Sequence, residues 1–250
     1  MSRVGGPRVV VVPDTDELDR AGADFVADAI AETPAASMTV ATGTSPMGLY
    51  AQLAARRRSG SVETGAITVF QLDEYLGLAA DDRRSLFGWM RRSFLDPLGV
   101  TEDRVVRLPL DGDMDAGCAA FDRALAARGR LDLAILGLGR NGHLGFNEPP
   151  SGPETPTRVV GLLPLTLEDN ARYWGEVAHV PTTAVTMGLR HLLRARRIVL
   201  VASGAGKRAV LHRALEGPVG PDVPASLLRE AESDVTVIAD RECWGEGDPG

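Results

Sequence analysis

The stretch LDLAILGLGRNGHLGFNEPP, Leu131–Pro150, decides how the rest of the chain is read. Its opening, LDLAIL, is a short run apolar on both faces, the pattern of a strand buried between two helix layers in a parallel sheet. The residues after it, Gly137–Gly142, match GxGxxG, the spacing of a dinucleotide fingerprint. Such a fingerprint must open a helix whose N-terminus meets a pyrophosphate, yet Pro149 and Pro150 come soon after with no helical stripe. The glycines therefore shape an irregular loop at a strand end, which presents His143, Phe146, Asn147 and Glu148. No dinucleotide is implied.

Outward from this segment, similar β-branched runs alternate with helical patterns along the whole chain. They begin with Arg8–Val12, Ser37–Thr42 and Ala66–Gln71 and continue with VVRLP, RVVGLLPL, RIVLVAS and DVTVIAD. Helical stripes lie between them, Leu18, Phe25, Val26, Ala29 and Ile30 in one and Leu86, Trp89, Met90 and Phe94 in another, both read as core. Asp14 or Thr15 caps the first helix, Asp96 and Pro97 close the second, and Gly217 and Pro218 close one that begins near Gly206. The expected fold is α/β: a doubly wound, mostly parallel sheet with helices on both faces, Rossmann-like without the dinucleotide site. A single domain over residues 1–250 is the simplest organisation. The loop Gly145–Thr157, with four prolines, breaks the rhythm and reads as a lid.

The 250 residues, 44% hydrophobic and 24% charged, suffice for a globular core. A net charge of −7 supplies no basic field for nucleic-acid phosphates or anionic membrane. The longest apolar runs are too short to span a bilayer, and MSRVGGPRVVVVPD lacks a signal-peptide core, so a cytoplasmic location is expected. Cys118 and Cys243 have no metal-ligand spacing and are read as reduced and buried. No Cys/His cluster or nucleophile elbow is present in the sequence, so neither a metal nor a cofactor is expected.

Ligands of parallel sheets bind beyond the carboxyl ends of the strands, which directs attention to four places. TGTSPMG, Thr42–Gly48, turns from strand to helix with Pro46 in the opening turn. Its free N–H groups and hydroxyls make a phosphate cradle, or else an ordinary capped turn. In QLDEY, Gln71–Tyr75, Asp73 and Glu74 point to opposite faces, so only one faces a site. That carboxylate, desolvated, is a general base for a carbon-bound proton; a helix cap or salt bridge is the competing role. In the glycine loop, His143 is suited to passing protons at neutral pH, with Glu148 orienting it. SGAGKRA, Ser203–Ala209, is not a Walker A loop. It carries Lys207, the one lysine among 27 basic residues, as either an anion ligand or a solvated surface group. Arg172, on a predicted helix, is a further guanidinium for the same anion.

Taken in order, TGTSPMGLY, FQLDEYLGL, SLFGWMRRSFLDPLG, LGRNGHLGFNEPPSG and VASGAGKRAVLHRALEG resemble the glucosamine-6-phosphate deaminase family, from about residue 37 to about residue 240. The related 6-phosphogluconolactonases share a GxGxDGH-like loop but lack the FNEP continuation and the LDEY strand end. The resemblance implies that Asp73 takes the C2 proton and that His143, held and polarised by Glu148, opens the pyranose ring. Loss of ammonia then gives fructose 6-phosphate in amino sugar catabolism. Gly43, Thr44, Ser45, Arg172 and Lys207 would hold the phosphate. Asn141 stands where many members have Asp; its amide orients His143 without adding charge, which predicts an altered pH profile. Arg158 matches a basic cluster of the allosteric members, but Val160 replaces a lysine, which argues against activation by N-acetylglucosamine 6-phosphate. A monomer and a homo-oligomer both fit. The competing functions are deamination of galactosamine 6-phosphate, lactone hydrolysis, and non-catalytic sensing of a sugar phosphate.

Overall fold

The computed structural model describes residues 6–79 and 82–245. The strands are β1 (Arg8–Val12), β2 (Ser37–Val40), β3 (Thr68–Gln71), β4 (Asp73–Tyr75), β5 (Val105–Val106), β6 (Leu133–Gly137), β7 (Arg158–Gly161), β8 (Thr183–Thr186), β9 (Arg197–Ala202) and β10 (Asp234–Asp240). The helices are α1 (Thr15–Glu32), α2 (Met47–Arg58), α3 (Leu86–Met90), α4 (Asp96–Leu98), α5 (Met114–Ala127), α6 (Pro164–Trp174), α7 (Leu189–Leu192), α8 (Arg208–Glu216) and α9 (Arg241–Trp244).

Seven strands form one sheet in the order β1-β10-β9-β6-β2-β3-β5, with every neighbouring pair parallel. Side chains alternate across its strands, so each apolar run feeds two cores. Leu133, Ile135, Val199 and Val201 pack with Leu18 and Val26 of α1 and Leu49 and Leu53 of α2. Ala134, Leu136, Ile198 and Leu200 pack on the other face with Phe121 and Leu125 of α5 and Val210 and Leu211 of α8. Helices thus cover both faces, as the doubly apolar runs require.

Three sequence readings are corrected. RVVGLLPL, grouped with the parallel runs, instead supplies β7 of a three-stranded antiparallel sheet, β4-β8-β7. Its residues alternate between partly sheltered and exposed, as on a strand with one wet face. The helix expected to stop at Asp96–Pro97 continues to Leu98 through a π turn over Arg91–Leu95. A proline ring collides with the carbonyl four residues back, and the wider turn absorbs it. Trp89, read as core, is only partly buried and lines the principal cavity. Asp14, of the two proposed caps of α1, is the one whose carboxylate accepts the Glu17 N–H. Both cysteines are buried and unbonded.

The loop 145–157 is fastened along its first half. Asn147 Nδ2 donates to the carbonyls of Leu144 and Met187, each at 2.8 Å, while Arg158 reaches Asn147 Oδ1 at 2.8 Å and Ser151 Oγ at 2.9 Å. Phe146, Asn147 and Glu148 are buried, so this half forms part of the wall behind the cavity.

Candidate active site

The order β9-β6-β2-β3 brings four loops together at one edge of the sheet: Ser203–Lys207 after β9, Gly139–His143 after β6, Thr42–Pro46 after β2, and the Leu72–Asp73 corner after β3. They surround a cavity of about 750 Å³, which the polar face of α6 completes.

The chain leaves β3 at Leu72, and Asp73 opens β4 opposite Thr186 of β8. Alternation along β4 turns Asp73 into the cavity and Glu74 away from it. Glu74 takes the helix-cap role: its carboxylate accepts the N–H groups of Leu86 and Phe87 at 2.8 Å, its own neighbour Tyr75 at 2.9 Å, and Gln71 Nε2 at 3.0 Å. It thereby fixes the start of α3, which carries Leu86 and Trp89 into the cavity wall. Asp73 is 7% exposed; its backbone carbonyl accepts Gln71 Nε2 at 3.1 Å, while its carboxylate accepts no hydrogen bond from a described residue. Burial, with the Glu74 charge added, pushes its carboxyl up to about 8, where a base strong enough for a carbon acid is expected.

On the glycine loop, no helix follows β6. The Gly139 N–H donates to the His143 carbonyl at 3.1 Å, and the imidazole lies over Gly139 so closely that a Cβ there would stand 2.3 Å from Nε2. Behind the ring, Nδ1 is 3.3 Å from Glu148 Oε2 and 3.4 Å from Thr166 Oγ1. Asn141 Nδ2 donates to the same Glu148 oxygen at 2.6 Å, and its Oδ1 accepts the His143 N–H at 3.2 Å. Burial tends to raise the Glu148 carboxyl, but His143, Thr166 and Asn141 outweigh it and hold the group below the usual carboxylate range. His143 lines the cavity; Asn141 and Glu148 do not, and meet it only through the ring.

Across the cavity, Lys207 Nζ donates to Ser45 Oγ at 2.7 Å, and Arg172 Nη2 lies 3.4 Å from Thr44 Oγ1. Gly43 lines the same wall. Lys207 is partly buried rather than a solvated surface group. Burial lowers its pKa and the Arg172 charge adds to this, against Cys243, Asp169 and Asp240. Two cations converging on hydroxyls, with no described carboxylate in ion-pair contact with either, form a receptor for an anion. The N-terminus of α2 has no local side-chain cap, and the Asp19 carboxyl of α1 lies against Gly48 in its first turn. Among the described residues, no group of three or more His, Cys, Asp or Glu side chains is arranged to hold a metal.

The candidate acid–base and phosphate residues read from the sequence are therefore in one neighbourhood, with Asn141 and Glu148 behind the imidazole. Sequence reasoning missed Thr166, Tyr173, Trp174 and the arginines Arg83, Arg84 and Arg92, all of which line the cavity. Tyr173 packs edge-on against Trp89 at 5.0 Å, and Arg84 lies over Trp174 at 4.3 Å. A signal existed: Thr166, Asp169, Asn170 and Tyr173 recur at i, i+3, i+4 and i+7, a polar stripe on one face of α6.

A deep pocket at the carboxyl edge of a parallel sheet, with a buried base, a carboxylate-held imidazole and a cationic anion receptor, defines the chain as an α/β enzyme acting on a small anion. It belongs to the glucosamine-6-phosphate isomerase/6-phosphogluconolactonase family, whose pattern matches residues 13–237. A relative from Streptomyces coelicolor, named glucosamine-6-phosphate deaminase, is 41% identical over 240 residues, covering 93% of this chain and 89% of the relative. One of the same name from Halalkalibacterium halodurans is 35% identical, covering 94% and 96%. A solved structure described as a monomeric glucosamine-6-phosphate deaminase superposes with a TM-score of 0.90 at 36% identity, covering 94% of this chain and 98% of that one. The 6-phosphogluconolactonase of Trypanosoma cruzi, at 22% identity and a TM-score of 0.75, shares the fold. Among the described residues no helix is long and apolar enough to cross a membrane.

Proposed function

We propose that this protein is a glucosamine-6-phosphate deaminase, converting its substrate and water to fructose 6-phosphate and ammonia. The observation that carries the reading is the buried Asp73 carboxylate, free of hydrogen bonds from the described residues, in the same cavity as the Glu148-held imidazole of His143 and the Lys207–Arg172 receptor. Lactone hydrolysis gives no use to a base matched to a carbon acid. Relatives named as deaminases at 35–41% identity support the same choice.

In this reading Lys207, Arg172, Ser45, Thr44 and the backbone at Gly43 hold the 6-phosphate, which leaves C1 and C2 toward His143 and Asp73. His143 takes the proton of the anomeric hydroxyl and returns one to the ring oxygen, opening the pyranose, while Glu148 stabilises the imidazolium. Asp73, once ionised, removes the C2 proton to give an enolamine and delivers it to C1, leaving an imine at C2. Water adds to that carbon and ammonia departs, so atoms balance. Asn141 and Glu148 act through the imidazole and are positioning residues. The second sheet supplies Asp73 and the parallel sheet supplies the phosphate loops, so the two operate as one sugar-phosphate domain. A cytoplasmic location goes with the reading, because phosphorylated sugars do not cross membranes unaided.

The test measures ammonia release and fructose 6-phosphate formation from glucosamine 6-phosphate, beside hydrolysis of 6-phosphogluconolactone. Ammonia without lactone hydrolysis is expected; lactone hydrolysis without ammonia overturns the reading.

A further inference from the structure

We propose that Asp240 is a positioning residue for the phosphate receptor: from the end of β10, its buried carboxylate clamps the Gly204 turn that delivers Lys207 to Ser45. The proposal rests on the reading of Lys207 as a phosphate ligand.

Strands β10 and β9 run side by side in parallel, with Ala239 opposite Ala202, so Asp240 emerges beside the point where the chain leaves β9. The residue is 3% exposed. Both carboxylate oxygens lie 3.1 Å from the Gly204 nitrogen, whose N–H they share. Oδ1 also accepts the Cys243 N–H at 2.7 Å, and Oδ2 accepts the Thr15 hydroxyl at 3.4 Å. The Gly204 carbonyl in turn accepts the Lys207 N–H at 3.1 Å, closing the turn. A relay of two hydrogen bonds therefore runs from Asp240 through the Gly204 peptides to the Lys207 backbone, and the ammonium continues it to Ser45 at 2.7 Å.

Gly204 sits at φ +83°, a conformation that glycine tolerates but does not enforce. Nothing in the local sequence SGAGK selects that turn over its alternatives, so an external clamp on the Gly204 N–H has an evident task. Capping α9 explains only part of the carboxylate. A cap needs a single oxygen, and a serine supplies one. The bond to Gly204 and the negative charge remain unexplained by capping, and the charge favours the ammonium form of Lys207 against its burial. A receptor for a dianion needs its cation both charged and in place; Asp240 serves both ends without touching the ligand.

The test compares Asp240→Asn, which keeps the shape, with Asp240→Ser, which keeps the α9 cap, alongside Lys207→Ala and the double variant Asp240→Ser/Lys207→Ala. The readouts are kcat and KM for glucosamine 6-phosphate and the competitive inhibition constant of inorganic phosphate. A positioning role for the anion raises KM and the phosphate constant together by about 5- to 30-fold in both Asp240 variants, with kcat within about threefold. It also makes the double variant no worse than Lys207→Ala, because the clamp has nothing left to position. Unchanged KM in Asp240→Ser while Lys207→Ala raises it, additive effects in the double variant, or a loss confined to kcat would each overturn the proposal alone. Lys207→Ala without effect on KM or phosphate inhibition would instead overturn the phosphate reading and the proposal with it. Loss of the fold in both Asp240 variants would overturn it as well, since the carboxylate would then serve the scaffold and not the receptor.

Discussion

Replacing Asp73 by Asn keeps the size of the side chain and removes only its ability to ionise, so the substitution separates what the base costs the fold from what it does for the reaction. The carboxyl rises from 3.8 to about 8 on burial, which makes the native state bind more protons than the unfolded chain over that range. Stability contributed by the protonated form is complete below 3.8 and is lost progressively as pH rises toward 8. At about 1.36 kcal/mol per unit, the roughly three units between 3.8 and pH 7 correspond to about 4 kcal/mol of destabilisation. Asn escapes this term, though its own amide must also be buried, so we expect Asp73→Asn to be more stable than the native protein by about 2–4 kcal/mol at pH 7. Urea unfolding between pH 5.5 and 7.5 measures it. The advantage should widen by about 1.4 kcal/mol per pH unit, while turnover falls to background and inorganic phosphate still binds. A stability difference that is flat with pH, a less stable variant, or retained turnover would refute the reasoning.

The same ionisation sets the pH profile. In the native protein kcat/KM should climb as pH rises toward 8, and Glu74→Gln, by removing the neighbouring charge, should move that limb to lower pH; a limb that stays put denies the coupling. Glu148→Gln should lower kcat by about 100-fold with KM little altered, because the imidazolium loses its partner; steady-state kinetics checks the split. Gly139→Ala should cut kcat at least tenfold without a comparable loss of thermal stability, since a Cβ 2.3 Å from the imidazole must push the ring aside; full activity would show that the ring position is not critical. Arg172→Ala should raise KM by about tenfold, the loss of one charge-assisted hydrogen bond, and leave kcat nearly unchanged.

Readings resting on local chemistry were the ones legible in the chain. The doubly apolar runs at β6, β9 and β10 state their burial between two layers because alternation feeds both faces. Pro149 and Pro150 exclude a helix after Gly142 whatever the rest of the chain does. Period-two alternation alone separates Asp73 from Glu74, although it does not say which of them faces the site. By contrast, β4 and β8 are three- and four-residue strands whose stability lies in pairing within the antiparallel sheet β4-β8-β7, and no local pattern announces such partners.

The sequence by itself determined the α/β class, the irregular character of the glycine loop and the residue types available for acid–base and anion chemistry, because these depend on backbone sterics and periodicity within a few residues. Only the tertiary structure decided that β6 lies between β9 and β2, so that Lys207 meets Ser45 across 162 positions of chain. It set Asp73 in the cavity and Glu74 on the cap, placed Asn141 and Glu148 behind the imidazole, and set Asp240 against Gly204. Strand order and burial depth are properties of long-range pairing, and desolvation, which makes a carboxylate a base, exists only once that pairing has closed the site.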